Sequence, residues 1–190
     1  AYDIKKDIDV KAERRWRSLT AGDRPWVRVG AALCGKAAGC DAVLAAIDAS
    51  LRRYSVEAQV SQVGCLGLCY AEPLVDVQLP GGPRVFYGNV APETVDEIVA
   101  SHLVNHTPVA ALALGYLGDG SSPVASLKLD GSIPALNQHP MRARETRIAL
   151  RNAGNIDPGD IYQYIASGGY QALHKALTEM TPGDTLEQVN

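Results

Sequence analysis

The chain has 190 residues, 46% of them hydrophobic, and its 18 basic and 21 acidic side chains give a formal charge of -3. That is enough apolar material for a sizeable core, and the lack of a basic excess excludes a surface built to neutralise nucleic-acid phosphates. The nearest approach to a bilayer span, Pro108 to Leu117, is short and broken by glycine, and Ala1 to Leu19 lacks the central apolar block of a secretory signal. A cytoplasmic protein without direct membrane insertion is expected, in a compartment where thiols stay reduced.

In chain order, Asp9 to Leu19 sets Val10, Trp16 and Leu19 among charged residues and predicts a short exposed helix, ended by Gly22 and Pro25. It reads as an N-terminal arm over residues 1–25, or more sharply as a docking helix for another subunit. Trp26 to Ala31 predicts a strand, and Ala37 to Tyr54 an amphipathic helix with Val43, Leu44, Ile47 and Leu51 on one face. Val56, Ala58 and Val60 alternate with Glu57 and Gln59 as the inward face of a second strand, and Gly64 opens a loop. Leu74 to Leu79 and Arg84 to Tyr87, joined by Pro80, Gly81, Gly82 and Pro83, predict a hairpin. Pro92 starts a helix with the stripe Val95, Ile98, Val99 and Leu103.

Strand, crossover helix, parallel strand, hairpin and covering helix is the α/β layout of a thioredoxin-like domain, placed over residues 26–104. Beyond it, Val104 to Pro140 is punctuated by proline and glycine and reads as a linker with a small hairpin. Asp157 and Pro158 are expected to cap a helix through Ile161, Tyr164 and Ile165 that stops at Gly168 and Gly169. Leu173, Leu177 and Met180 mark another helix, and Thr181, Pro182 and Asp184 start a last one. That last helix has barely begun to repeat at Asn190, so residues 105–190 are expected to be a linker and the incomplete start of a further domain, the front of something longer.

The four cysteines come as two close pairs, Cys34 with Cys40 and Cys65 with Cys69. Clustered cysteines in a reducing cytosol point to metal or redox chemistry, and a 2Fe-2S cluster needs four ligands converging from two loops. Gly35, Gly39, Gly64 and Gly67 would let backbone N–H groups approach the sulfurs. Zinc pairs are usually closer in sequence than Cys34 and Cys40, inert buried cysteine explains a cysteine loop less well, and thiol exchange would require a C-x-x-C pair that is missing. Cys34, Cys40, Cys65 and Cys69 are therefore the candidate metal ligands, and no acid–base catalyst is assigned.

Three segments carry a resemblance: Cys34 to Gly39, Gly64-Cys-Leu-Gly-Leu-Cys-Tyr-Ala-Glu-Pro73, and Tyr87-Gly-Asn-Val-Ala-Pro-Glu93. They resemble the thioredoxin-like 2Fe-2S ferredoxin domain, in the version fused in front of the flavoprotein subunit of NADH dehydrogenases, NAD-linked hydrogenases and formate dehydrogenases. Leu150 to Pro158, Tyr164 to Tyr170 and Met180 to Pro182 resemble the lead-in to that subunit's flavin-binding domain. The resemblance implies an electron-transfer part of a multisubunit NAD(H)-linked oxidoreductase, partnered by other subunits. The FMN, NAD and 4Fe-4S sites are expected in a part of the family subunit that this sequence does not contain. Cys34, Cys65 and Cys69 match three of the family's ligand positions. The first family position falls at Val29 and Gly30, which cannot bind iron, so either Cys40 is the fourth ligand or the domain is a cluster-free scaffold that docks neighbouring subunits.

Other candidates have plainer readings. His102 and His106 are expected to be exposed at a helix C-terminus, and His139 and His174 have no clustered partners. Arg142, Arg144, Arg147 and Arg151 read as a solvated surface, and Tyr162, Tyr164 and Tyr170 as packing residues with wet hydroxyls.

Overall fold

A run buried at all five positions, Trp26–Gly30, marks a strand paired on both edges and covered on both faces, and this strand (β1) is where the sheet is built from. The computed structural model describes residues 4–118 and 131–189, and within them the sheet has five strands. Gln59–Val63 (β2) pairs parallel with β1 on one side, while Val75–Gln78 (β3) pairs antiparallel on the other. Arg84–Tyr87 (β4) and Ala113–Leu117 (β5) continue antiparallel, giving the order β2-β1-β3-β4-β5.

Ile4–Thr20 (α1) precedes the sheet, and Leu33–Ala37 (α2) and Cys40–Arg53 (α3) cross from β1 to β2. Pro92–Ile98 (α4) runs on into a π-helical turn, Val99–Val104. One parallel crossover, a hairpin and a covering helix make this a thioredoxin-like fold, a mixed sheet flanked by helices. The expected stripe Val95, Ile98, Val99 and Leu103 is buried, in one cluster with Val27, Val29, Val43, Ile47, Val75 and Val77.

Several expectations change. The first crossover helix is two helices, because Gly39 takes a left-handed φ of 96° between them. β2 faces the other way: Val60 is 44% exposed, while Ser61 and Val63 are buried and the Ser61 hydroxyl accepts a hydrogen bond from Trp26 Nε1 at 3.0 Å. Pairing with β1, Trp26 opposite Gln59, sets that face. His102 is not an exposed terminal histidine. It is fully buried, 2.8 Å from the Tyr87 hydroxyl through Nδ1, and burial lowers its pKa to about 4.

The helix at residues 4–20 does not stand free. Ala12 and Leu19 are buried, the rings of Trp16 and Trp26 meet edge to face, and Arg15 pairs with Asp160 at 2.9 Å. Asp160, rather than Asp157, caps Ile161–Ala166 (α5), by accepting from the backbone N–H groups of Tyr162 and Gln163. Gln171–Glu179 (α6) and Pro182–Val189 (α7) follow, and Thr181 and Asp184 bond each other's backbone N–H at the start of α7. Within the segment expected to be a linker with a small hairpin, Ala113–Leu117 instead adds a fifth strand to the sheet, and Tyr116 bridges to Ala135. Residues 119–130 of that segment lie outside the described residues, as do residues 1–3 and Asn190.

Candidate metal centre

Alternation organises the cysteine loop. Leu66 and Leu68 turn inward, where they pack with Ala71, Leu74, Phe86 and Leu136 in a second apolar cluster, and Cys65, Gly67 and Cys69 are left on the outer side. Cys34 reaches the same place from the first turn of α2. Its sulfur lies 3.4 Å from that of Cys69, and Cys65 and Cys69 are 3.6 Å apart. All three sulfurs fall within 4.8 Å of one another, the one group of metal-ligating side chains this close among the described residues. Cys34 and Cys65 are half-buried and Cys69 is exposed.

Cys40 does not join them. The left-handed Gly39 starts α3 with Cys40 facing inward, so its side chain is fully buried in the core with Val29 and Val43. Burial pushes its thiol up, as it does for an inert structural cysteine. The expected set of four thiols is therefore a set of three in space.

Electrostatics at the loop are mixed. Burial raises the Cys65 thiol pKa, and the neighbouring charges of Cys69 and Glu72 add to this, while the Gly67 N–H, 3.2 Å from the sulfur, opposes it by favouring the thiolate. Gly67 sits at a φ of 86°, and a side chain there would also press on Arg147. Two arginines brace the loop from behind. Arg142 Nη1 donates to the Leu66 carbonyl at 2.9 Å and Arg147 Nη2 donates to the same oxygen, using both its lone pairs. His139 stacks on Tyr70 and lies 2.9 Å from its hydroxyl. Of the basic run read as a solvated surface, Arg142 and Arg147 thus hold the cysteine loop, with Glu145 between them, while Arg144 and Arg151 are exposed.

Glu72 was missed at the sequence level. It is 7% exposed, its Oε2 accepts from the Leu74 N–H at 2.8 Å, and its Oε1 has no partner. Burial raises its pKa. A carboxylate set among Ala71, Pro73 and Leu74, just past a cysteine, was the available signal.

Three thiols from two separate segments, with a glycine N–H on one sulfur and positive charge behind the loop, suit an iron–sulfur centre. The donor set fits such a group at three positions, and no thiol supplies the fourth.

No known protein-family profile matches the chain. It is 28% identical over 113 residues to "NADP-reducing hydrogenase subunit HndB" of Solidesulfovibrio fructosivorans, covering 57% of this chain and 90% of that protein. It is 41% identical over 63 residues to "Ferredoxin, 2Fe-2S" of Clostridium pasteurianum, covering 33% of this chain and 59% of the relative. A 46-residue stretch is 50% identical to "NADP-reducing hydrogenase subunit HndC" of S. fructosivorans, and this covers only 9% of that protein. Among solved structures, the thioredoxin-like [2Fe-2S] ferredoxin of Aquifex aeolicus is similar over 49% of this chain and 98% of its own, with 28% identity and a TM-score of 0.42.

Proposed function

We propose that this chain is an electron-transfer module of a multisubunit, NAD(P)-linked oxidoreductase, carrying a 2Fe-2S cluster on Cys34, Cys65 and Cys69. The observation that carries this reading is the meeting of three thiols within 4.8 Å on a thioredoxin-like fold. Similarity to HndB and to 2Fe-2S ferredoxins supports both the cofactor and the setting. When bound, the cluster supplies a one-electron carrier.

The chain's own residues hold and tune the site. The Gly67 N–H stabilises charge on the Cys65 sulfur, and Arg142 and Arg147 fix the loop through Leu66. Cys69 lies at the surface, flanked by Tyr70 at 56% exposure, and Leu33, at 85%, precedes Cys34. An apolar rim around exposed sulfur suits docking of a partner subunit at electron-transfer distance. Residues 1–25, 26–104 and 105–190 are read as helical arm, ferredoxin-like domain and lead-in to a flavin-binding domain. Among the described residues no helix is long and apolar enough to cross a membrane.

Anaerobically purified chain should show visible charge-transfer absorption that bleaches on chemical reduction, and Cys34→Ser, Cys65→Ser or Cys69→Ser should each remove it. Retention of the absorption in all three variants would refute the assignment. The burial of Cys40 favours a second reading, a cluster-free docking scaffold, for which the purified chain would be colourless.

A further inference from the structure

We propose that the Glu72 carboxylate supplies the fourth ligand of the centre held by Cys34, Cys65 and Cys69, through Oε1. The inference rests on the cluster reading above. A two-iron centre needs a fourth donor, and Cys40, fully buried in the apolar core, is not positioned to give it. Glu72 is the buried acidic side chain nearest in sequence to the thiols, three residues past Cys69, and one of its oxygens is unsatisfied although the residue is almost wholly out of water. An orphaned buried oxygen of this kind is costly, and a cation would satisfy it.

The carboxylate is also in the right place. A Cβ added at Gly30, the end of β1, would lie 2.7 Å from Oε2 and 2.9 Å from Oε1, and one added at Gly35 would lie 3.3 Å from Oε2. Glu72 thus fills the notch between the end of β1 and the first turn of α2, beside the backbone that carries Cys34. A thiol at the end of β1 would have to compete for that space. Its charge, after burial, is among the influences on Cys65. Glu72 lies outside the circle of 4.8 Å in which the three sulfurs meet. A two-iron centre would take two protein donors on each iron, so Oε1 would share one iron with one of the three thiols while the other two thiols held the second. On ligation Oε1 donates a lone pair to iron, and any proton on the carboxyl leaves to solvent.

A competing account keeps Glu72 structural. Arg28 Nε is also unpartnered, and both residues line a cavity of about 10 Å³, in which one water could link them. Mössbauer spectroscopy on isotope-enriched, iron-loaded chain separates the two accounts. Oxygen ligation predicts two unequal ferric doublets of equal area in the native chain. Glu72→Gln, which can still accept from Leu74 N–H, should lose iron several-fold while its circular dichroism stays native. Gly30→Cys combined with Glu72→Ala should rebuild an all-sulfur centre with two matching doublets. Two matching doublets in the native chain, or full iron and an unchanged spectrum in Glu72→Gln, would overturn the Glu72 assignment and leave the cluster standing. Absence of iron from the native chain would take down the cluster reading and this inference together.

Discussion

Asp76→Asn removes the only anion from a buried triad. Asp76, 3% exposed, accepts from Arg28 Nη1 at 2.5 Å and from Arg84 Nε and Nη2 at 3.1 and 2.8 Å. Burial has already lowered the Arg28 pKa to about 10, so its guanidinium is still charged at neutral pH. Breaking one partner out of a buried ion pair costs roughly 3–5 kcal/mol, because the remaining charge stays buried. Here the lower end applies. Arg28 keeps Gln78 Oε1 at 2.7 Å and the Trp26 ring at 3.5 Å, and Arg84 keeps Asn155 Oδ1 and the Gly154 carbonyl. A loss of about 3 kcal/mol corresponds to a Tm lower by roughly 6–12 °C for a chain of this size.

The damage should extend to the cysteine loop. Arg84 ties Gly154 and Asn155 to the sheet, and the neighbouring Ala153 carbonyl accepts from Arg147, which holds Leu66. Urea unfolding followed by circular dichroism measures the stability change, with iron content measured on the same samples. A change below about 1 kcal/mol would show that the triad is not the electrostatic anchor argued here.

Cys40→Ala should keep the iron content of the native chain while losing about 1–2 kcal/mol of stability to the core void, and loss of iron with native circular dichroism would return Cys40 to the ligand set. His102 gives a pH signature. Its folded pKa of about 4 lies below the unfolded value near 6.5, so the unfolded chain binds the extra proton, and stability is lost as pH falls from about 6.5 to 4, by about 3 kcal/mol. His102→Gln should flatten that part of the stability profile, and an identical acid limb in the variant would contradict the burial argument. Arg147→Ala removes positive charge from behind the thiols, which favours the more negative, reduced state. Its midpoint potential should fall by roughly 20–60 mV, the one-electron equivalent of about 0.5–1.4 kcal/mol, and an unchanged or raised potential in a redox titration would refute that role.

Where local pattern and tertiary environment agree, the sequence was readable. β1, the β3–β4 hairpin and the Val95 to Leu103 stripe are apolar because they are buried, and the cysteine loop declares itself by its glycines and leucines. Legibility fails where a partner decides. The inward face of β2 follows from pairing with β1, so Val60 points out despite its own alternation. Cys40 was paired with Cys34 by proximity along the chain, but the turn at Gly39 sends the two sulfurs to different places. Arg142 and Arg147 are tethered to Leu66 across more than seventy residues, a contact that charge patterning along the chain cannot contain. Glu72 was given no role because its burial depends on Gly30 and Gly35, two glycines from a distant segment.

Iron and acid-labile sulfide per chain on anaerobically purified protein, with an electron paramagnetic resonance spectrum after reduction, test the central claim most directly. The account predicts about two irons, about two sulfides and the signal of a reduced 2Fe-2S centre. Folded protein with neither iron nor signal would contradict it.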